Sequence, residues 1–323
     1  MTSPSLEEDT RRPWTREEAR ELYHLPLPEL VFRAQLVHRR HHDPRKVQLC
    51  SLLSIKTGGC SEDCAYCSQS AHRATPVPRE PLIDLERVVE AARAVRAAGA
   101  TRLCMGAAWR SPRSESDFEA VLRMVRAVRA EGLEACCTLG FLTDEQARRL
   151  AEAGLTSYNH NLDTGPEYYP RIVTTHRYED RLATLARVQA AGIQVCSGGI
   201  IGMGESVADR IDLLLALAGL DPPPSSVPIN LLVPVEGTPL AALPPVDPIE
   251  AVRMVATARI VLPRSRVRLS AGRERLSDEA QALSFVAGAN SIFVGERLLT
   301  APNRAPERDR ALFEKLGLEP MDG

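Results

Sequence analysis

Eight short apolar or β-branched runs alternate with longer amphipathic stretches, several of which close on glycine, and this pattern predicts an α/β chain folded as a (β/α)8 TIM-type barrel with an N-terminal helical extension. The runs are LLSIKT (52–57), RLCMGA (102–107), EACCTL (134–139), SYNHNL (157–162), QVCSGGI (194–200), VPINLLV (227–233), RVRLSA (266–271) and NSIFVG (290–295). Between them LERVVEAARAVRAAG, FEAVLRMVRAVRAEG and YEDRLATLARVQAAG carry apolar residues at helical spacing and end on glycine, where a left-handed cap costs least. At 323 residues and 44% hydrophobic, the chain has ample material for one barrel-sized core. Residues 1–46 read as the helical extension and 47–323 as the barrel with a short C-terminal tail. Within the extension, the histidines of VHRRHHD (37–43) read as a solvated face, and DPPPSS (221–226) reads as a stiff βα connection.

A formal net charge of -2 provides no basic stripe for a phosphate backbone, which argues against a nucleic-acid partner. The polar start MTSPSLEEDTRRPWTREEAR has no apolar signal core, and LLLALAGL (213–220) is too short to span a bilayer. A cytoplasmic location follows as the expectation, so the eight cysteines read as ligands, nucleophiles or core filler rather than disulfides.

Three of them share one loop after the first strand, GGCSEDCAYC (58–67), with Cys60, Cys64 and Cys67 and no fourth thiol. A structural zinc site asks for four ligands, commonly two Cys-x-x-Cys pairs, and no second pair exists. A cubane held by three thiolates instead keeps one iron free for an exogenous ligand, and a barrel places such a loop where its chemistry is assembled. Alternation along strands puts Arg102 with Cys104, Cys136 with Thr138, and Cys196 with Gly198, while Cys137 points opposite to Cys136. Three thiols on inward faces of separate strands can hold a second cluster; alone, each also reads as a small buried hydrophobe. Cys50 is expected to precede the first strand. On strand seven, Arg266, Arg268 and Ser270 share a face, so an inward Ser270 carries Arg268 inward to a partner that is no carboxylate of the neighbouring strands.

Cys-x-x-x-Cys-x-x-Cys with an aromatic before the last cysteine resembles the signature of the radical S-adenosylmethionine (SAM) superfamily. LLSIKTGGCSEDCAYCSQS, CMGAAW, GLEACCTLG, YNHNLDT, VCSGGIIGMGE, VPINLLVPVEGTPL and VRLSAGRE resemble, in order and spacing, the biotin synthase family, from about Trp14 to Leu318. The resemblance implies radical insertion of sulfur into dethiobiotin to form biotin, with the sulfur drawn from an auxiliary [2Fe-2S] cluster. It implies a [4Fe-4S] cluster on Cys60, Cys64 and Cys67 that binds SAM, and the [2Fe-2S] cluster on Cys104, Cys136, Cys196 and Arg268. It also implies cofactor contacts at Tyr66, Ala107, Asn161, Asp163, Arg181, Ile200 and Glu205, with Asn161 and Asn230 at the substrate. Implied partners are a reduced flavodoxin-type electron donor, the iron–sulfur assembly machinery and a second copy in a homodimer. Two rivals stand beside this reading: another radical SAM enzyme on the same barrel, without the interior thiol triad, and a non-catalytic iron–sulfur protein.

Overall fold

In the computed structural model of the chain, residues 13–112 and 114–322 are described; the part of the expected extension at residues 1–12 lies outside them. Strand β1 (Lys46–Lys56) is followed by β2 (Arg102–Ala107), β3 (Glu134–Thr138), β4 (Ser157–Asn159), β5 (Gln194–Cys196), β6 (Gly199–Ile201), β7 (Ser226–Leu231), β8 (Arg266–Leu269) and β9 (Ser291–Phe293). All pair in parallel with their neighbours, and β9 pairs back onto β1, so the sheet closes. With β5 and β6 as halves of one staggered strand, this is the eight-stranded barrel that the alternating pattern predicts. A short β10 (Glu319–Pro320) adds beside the start of β1.

The break between β5 and β6 has a local cause. Gly198 lies against Pro228 of β7, and a Cβ on Gly198 would sit 2.0 Å from the Pro228 carbonyl oxygen. Proline has no N–H to give the ladder between β5 and β7 at this point, while on the β4 side the Gly198 carbonyl accepts from the Asp163 N–H at 3.1 Å. Strand one, by contrast, starts six residues before its apolar run, because Gln48 and Cys50 belong to the barrel interior as well.

The expected helices are α3 (Leu85–Ala97), α4 (Glu115–Ala130) and α6 (Tyr178–Ala190), followed by left-handed Gly99, Gly132 and Gly192. Helices α5 (Asp144–Glu152), α7 (Val207–Ala218), α8 (Pro248–Val261), α9 (Asp278–Val286) and α10 (Pro306–Leu316) complete the outer layer. The proline-rich segment 221–226 joins α7 to β7, an αβ connection rather than the βα connection expected from sequence.

Two helices precede the barrel, α1 (Arg16–Tyr23), with a Thr15/Glu18 capping box, and α2 (Leu27–His41); α1 packs on α7 and α8, and α2 on α8. That packing overturns the solvated reading for His38 and His42. His38 is buried with neither ring nitrogen hydrogen-bonded, and His42 receives Arg259 Nη1 at 2.8 Å, because positions four apart on α2 share the face turned to α8. Burial, then the Arg259 guanidinium, lowers His38 to about 3 and His42 to about 4. Both rings therefore stay neutral in the fold while the unfolded chain takes up protons near pH 6.5, so stability is present above that pH and is lost as pH falls toward 4. Urea midpoints should fall between about pH 7.5 and pH 5, and the fall should be shallower in His38→Gln. An identical pH dependence in the two proteins would contradict this account.

Candidate functional site

The carboxyl ends of the strands surround a cavity of about 380 Å3. Cys60, Cys64 and Cys67 reach it from the loop that leaves β1, while Cys104, Cys136 and Cys196 reach it from β2, β3 and β5.

The loop turns through Gly58 and Gly59, whose φ angles of 67° and 73° favour glycine; a Cβ at Gly58 would stand 2.4 Å from the Pro78 carbonyl oxygen. Its intervening residues fasten it. Asp63 accepts from the Thr174 and Thr175 N–H groups at 3.0 and 3.2 Å. Glu62 accepts from Arg110 at 2.8 Å and Thr175 at 2.7 Å and contacts His176. Burial works against the Glu62 carboxylate, yet the hydrogen bonds from His176, Thr175 and Arg110 outweigh it and hold the group at about 2. Tyr66 donates its hydroxyl to Asp163 at 2.7 Å. Burial raises all three loop thiols, Cys67 to about 11, so binding iron there releases protons.

Inside the barrel, the interaction of Cys136 with Cys104 and Cys196 raises the Cys136 thiol and lowers the other two. Arg268 is buried on β8: its Nη1 is 3.8 Å from Cys196 Sγ, its Nη2 is 3.2 Å from Cys50 Sγ, and its Nε donates to Ser291 Oγ at 2.9 Å. No carboxylate among the described residues is within ion-pair distance of it. Arg102, fully buried on β2, donates through Nε to Glu134 at 2.7 Å, but its two terminal nitrogens have no hydrogen-bond partner. Two buried guanidiniums with one carboxylate and three converging thiols make a pocket that demands an anion, and an anionic thiolate-bound cluster suits it. Among the described residues no three or more His, Cys, Asp or Glu side chains are grouped to hold a single metal ion. The site fits polynuclear clusters, whose thiolates are shared among more than one iron.

The structure brings Tyr66, Ala107, Asn161, Asp163, Arg181, Ile200 and Asn230 to the same cavity wall. Asn161 and Asp163 do not share a strand face as expected: β4 ends at Asn159, and Asp163 adopts a left-handed φ of 67°, which turns the chain back to bridge Gly199. Asp163 pairs with Arg181 Nη2 at 3.0 Å, and Arg181 Nη1 donates to the Asn161 carbonyl at 2.8 Å. Asn230 spans two strands, donating to the Gly199 carbonyl at 3.0 Å and accepting from the Ala271 N–H at 3.2 Å. Glu205 is not brought to the cavity wall. It accepts from the Gly202 and Met203 N–H groups at 3.0 and 2.8 Å and from Arg210 at 2.7 Å, so it orders the turn after β6.

Cys50 also departs from expectation. It lies within β1 and points into the barrel, where burial raises its thiol; the apolar run from Leu52 hid the strand's polar first half. Cys137 belongs to the apolar layer between strands and helices. Cys137→Ala should therefore cost about 1 kcal/mol of stability and leave iron content unchanged on reconstitution, as read by iron analysis. Lost iron would place this thiol at a cluster.

Sequence reasoning missed Glu62 and His176, both at the cavity wall, and Ser291 and Gln48 beside Arg268. Glu62 was visible as an acid between two cysteines of the loop; His176, more than a hundred residues on, carried no signal.

Residues 54–217 match the Radical SAM superfamily, and residues 228–319 match the Biotin and Thiamin Synthesis associated domain. Methylornithine synthase has the same fold, with a TM-score of 0.80, 19% identity and coverage of 96% of this chain and 95% of that one. The FeFe-hydrogenase maturase of Carboxydothermus hydrogenoformans likewise matches with a TM-score of 0.79 at 19% identity, covering 96% of this chain and 76% of its own. Fold and loop together define a radical SAM barrel. Among curated relatives, a biotin synthase of Synechococcus sp. (strain JA-3-3Ab) is 61% identical over 94% of this chain and 98% of its own. A biotin synthase of Methylobacterium sp. (strain 4-46) is 63% identical over 95% and 93%. The chain belongs to the biotin synthase family.

Proposed function

We propose that this chain inserts sulfur into dethiobiotin to form biotin, with the substrate held in the cavity that both thiol triads line. That shared cavity is the observation that carries the reading. Cys60, Cys64 and Cys67 would hold a [4Fe-4S] cluster, and Cys104, Cys136, Cys196 and Arg268 a [2Fe-2S] cluster. When bound, the first supplies the electron that cleaves SAM for hydrogen abstraction, and the second supplies the sulfur.

The chain's own residues bind, orient and enclose. Asp163, fixed between Tyr66 and Arg181, presents acceptor oxygens where the family resemblance puts the cofactor ribose. Arg181 brings the charge that suits the cofactor carboxylate, and Ile200 and Ala107 line its wall. Asn161 and Asn230 stand on the same wall for the polar ring of the substrate. Trp109, Leu231, Phe293 and Leu298 supply apolar walls that keep water from reactive species.

The reading further includes a reduced flavodoxin-type donor, loading by iron–sulfur assembly machinery, a homodimer and a cytoplasmic location. Among the described residues no helix is long and apolar enough to cross a membrane. The reading also includes a helical extension over 1–46 and a barrel over 47–323; β1 begins at Lys46. Anaerobic reconstitution with iron and sulfide, followed by incubation with SAM, a reductant and dethiobiotin, should yield biotin and 5'-deoxyadenosine. 5'-Deoxyadenosine without biotin would point to a different substrate on the same barrel.

Asp163→Asn removes the charge that partners Arg181 but keeps the size of the side chain. SAM affinity should fall by about 10- to 100-fold, as measured by equilibrium dialysis of the reconstituted protein, because an oriented buried partner is lost. Unchanged affinity would remove Asp163 from the cofactor site.

A further inference from the structure

Beneath the three interior thiols lies a fourth. Cys50 is fully buried on β1, with its Sγ 3.2 Å from Arg268 Nη2 and 3.8 Å from Ser291 Oγ. It packs in one cluster with Cys104, Cys136 and Phe293, apart from the outer core. Arg268 lines the cavity and Cys50 does not, so the guanidinium stands between the thiol and the open space. On the other side, Cys50 is the register partner of Arg102, whose unpartnered terminal nitrogens are buried at the same level.

We propose that Cys50 is a reserve thiolate ligand of the auxiliary cluster, able to take the fourth position when Arg268 gives it up; this rests on the cluster assignment made above. Arg268 reaches toward Cys196 with one terminal nitrogen and toward Cys50 with the other, so the arginine and the thiol compete for one place beside the triad. The exchange balances: the iron–nitrogen bond to Arg268 breaks, the iron–sulfur bond to Cys50 forms, and the thiol proton passes to the released guanidine 3.2 Å away, which becomes a cation again. Three thiolates on an oxidised [2Fe-2S] core carry one net negative charge and four carry two, while Arg102 and Arg268 are two buried cations of which only Arg102 has a carboxylate. Thiolate is also the ordinary fourth ligand of such a core, whereas a guanidinium offers iron a lone pair only after losing its proton.

The test uses the full-length chain, reconstituted anaerobically, and reads iron per chain and the visible and paramagnetic resonance spectra of the auxiliary cluster. Arg268→Ala should keep about six irons per chain while the auxiliary spectrum shifts to that of an all-thiolate [2Fe-2S] centre. Cys50→Ala alone should also keep its iron. Arg268→Ala/Cys50→Ala should fall to about four irons, with the [4Fe-4S] spectrum intact as proof of folding. Arg268→Met serves in both backgrounds if the alanine protein does not fold. Equal iron and equal spectra in the single arginine variant and the double variant would overturn the proposal, as would loss of the auxiliary irons from the single arginine variant. Cys136→Ala separates the two failures: if that protein keeps all its iron, the site assignment itself has failed.

Discussion

Serine at Cys60, Cys64 or Cys67 should abolish reductive formation of 5'-deoxyadenosine from SAM. The argument is one of count and place. The three thiols leave β1 on a loop whose glycine turn, Asp63 and Glu62 contacts fix its path, and among the loop residues there is no other thiol to substitute. A serine hydroxyl keeps the size of the side chain but is a far harder ligand than thiolate, so iron is lost or left poorly coordinated. Disturbing an outer-sphere partner of a metal site costs about 10- to 100-fold, and losing one of only three ligands should cost more than that in each variant. Cleavage at the parent rate in all three would remove the loop from the chemistry.

The second large effect separates the two halves of the reaction. Cys136→Ala should eliminate biotin formation and about two irons per chain while leaving SAM cleavage in place. Cys136 is chosen because it is the register partner of Cys104 and interacts with Cys196 as well. Its removal leaves only Cys104 and Cys196 of the triad, and Cys50 stands at Arg268 rather than at the vacated place, so the variant should lose auxiliary iron. Biotin formed at the parent rate, or iron unchanged, would mean that the interior thiols are core filler.

Much of this architecture was readable because it rests on period. Two-residue alternation put Cys104, Cys136 and Cys196 on inward faces and Cys137 outward, and the structure places them that way. The same rule failed at Cys50 because apolarity marks a strand only where it packs. The first half of β1 turns Gln48 and Cys50 inward, where their neighbours are Arg268, Arg102 and Glu134, and a polar barrel floor has no hydrophobic signature. Asn161 and Asp163 were readable as a pair but not as a loop, since the turn depends on Asp163 taking a left-handed φ and donating its N–H to the Gly198 carbonyl. His38 looked solvated among arginines because the burying surface, α8, lies more than two hundred residues away in sequence. Glu205, expected at the cofactor, is instead held by backbone N–H groups and Arg210, a use that only the coordinates reveal.

The central claim is that the interior triad holds the sulfur that enters biotin. Its most direct test is to reconstitute the protein anaerobically with heavy-isotope sulfide, remove the free sulfide, and run a single turnover with dethiobiotin and SAM. The account predicts biotin carrying the heavy sulfur, with the label retained when light sulfide is present in solution during turnover. Light sulfur in that first biotin, taken from solution while the labelled clusters remain intact, would contradict it.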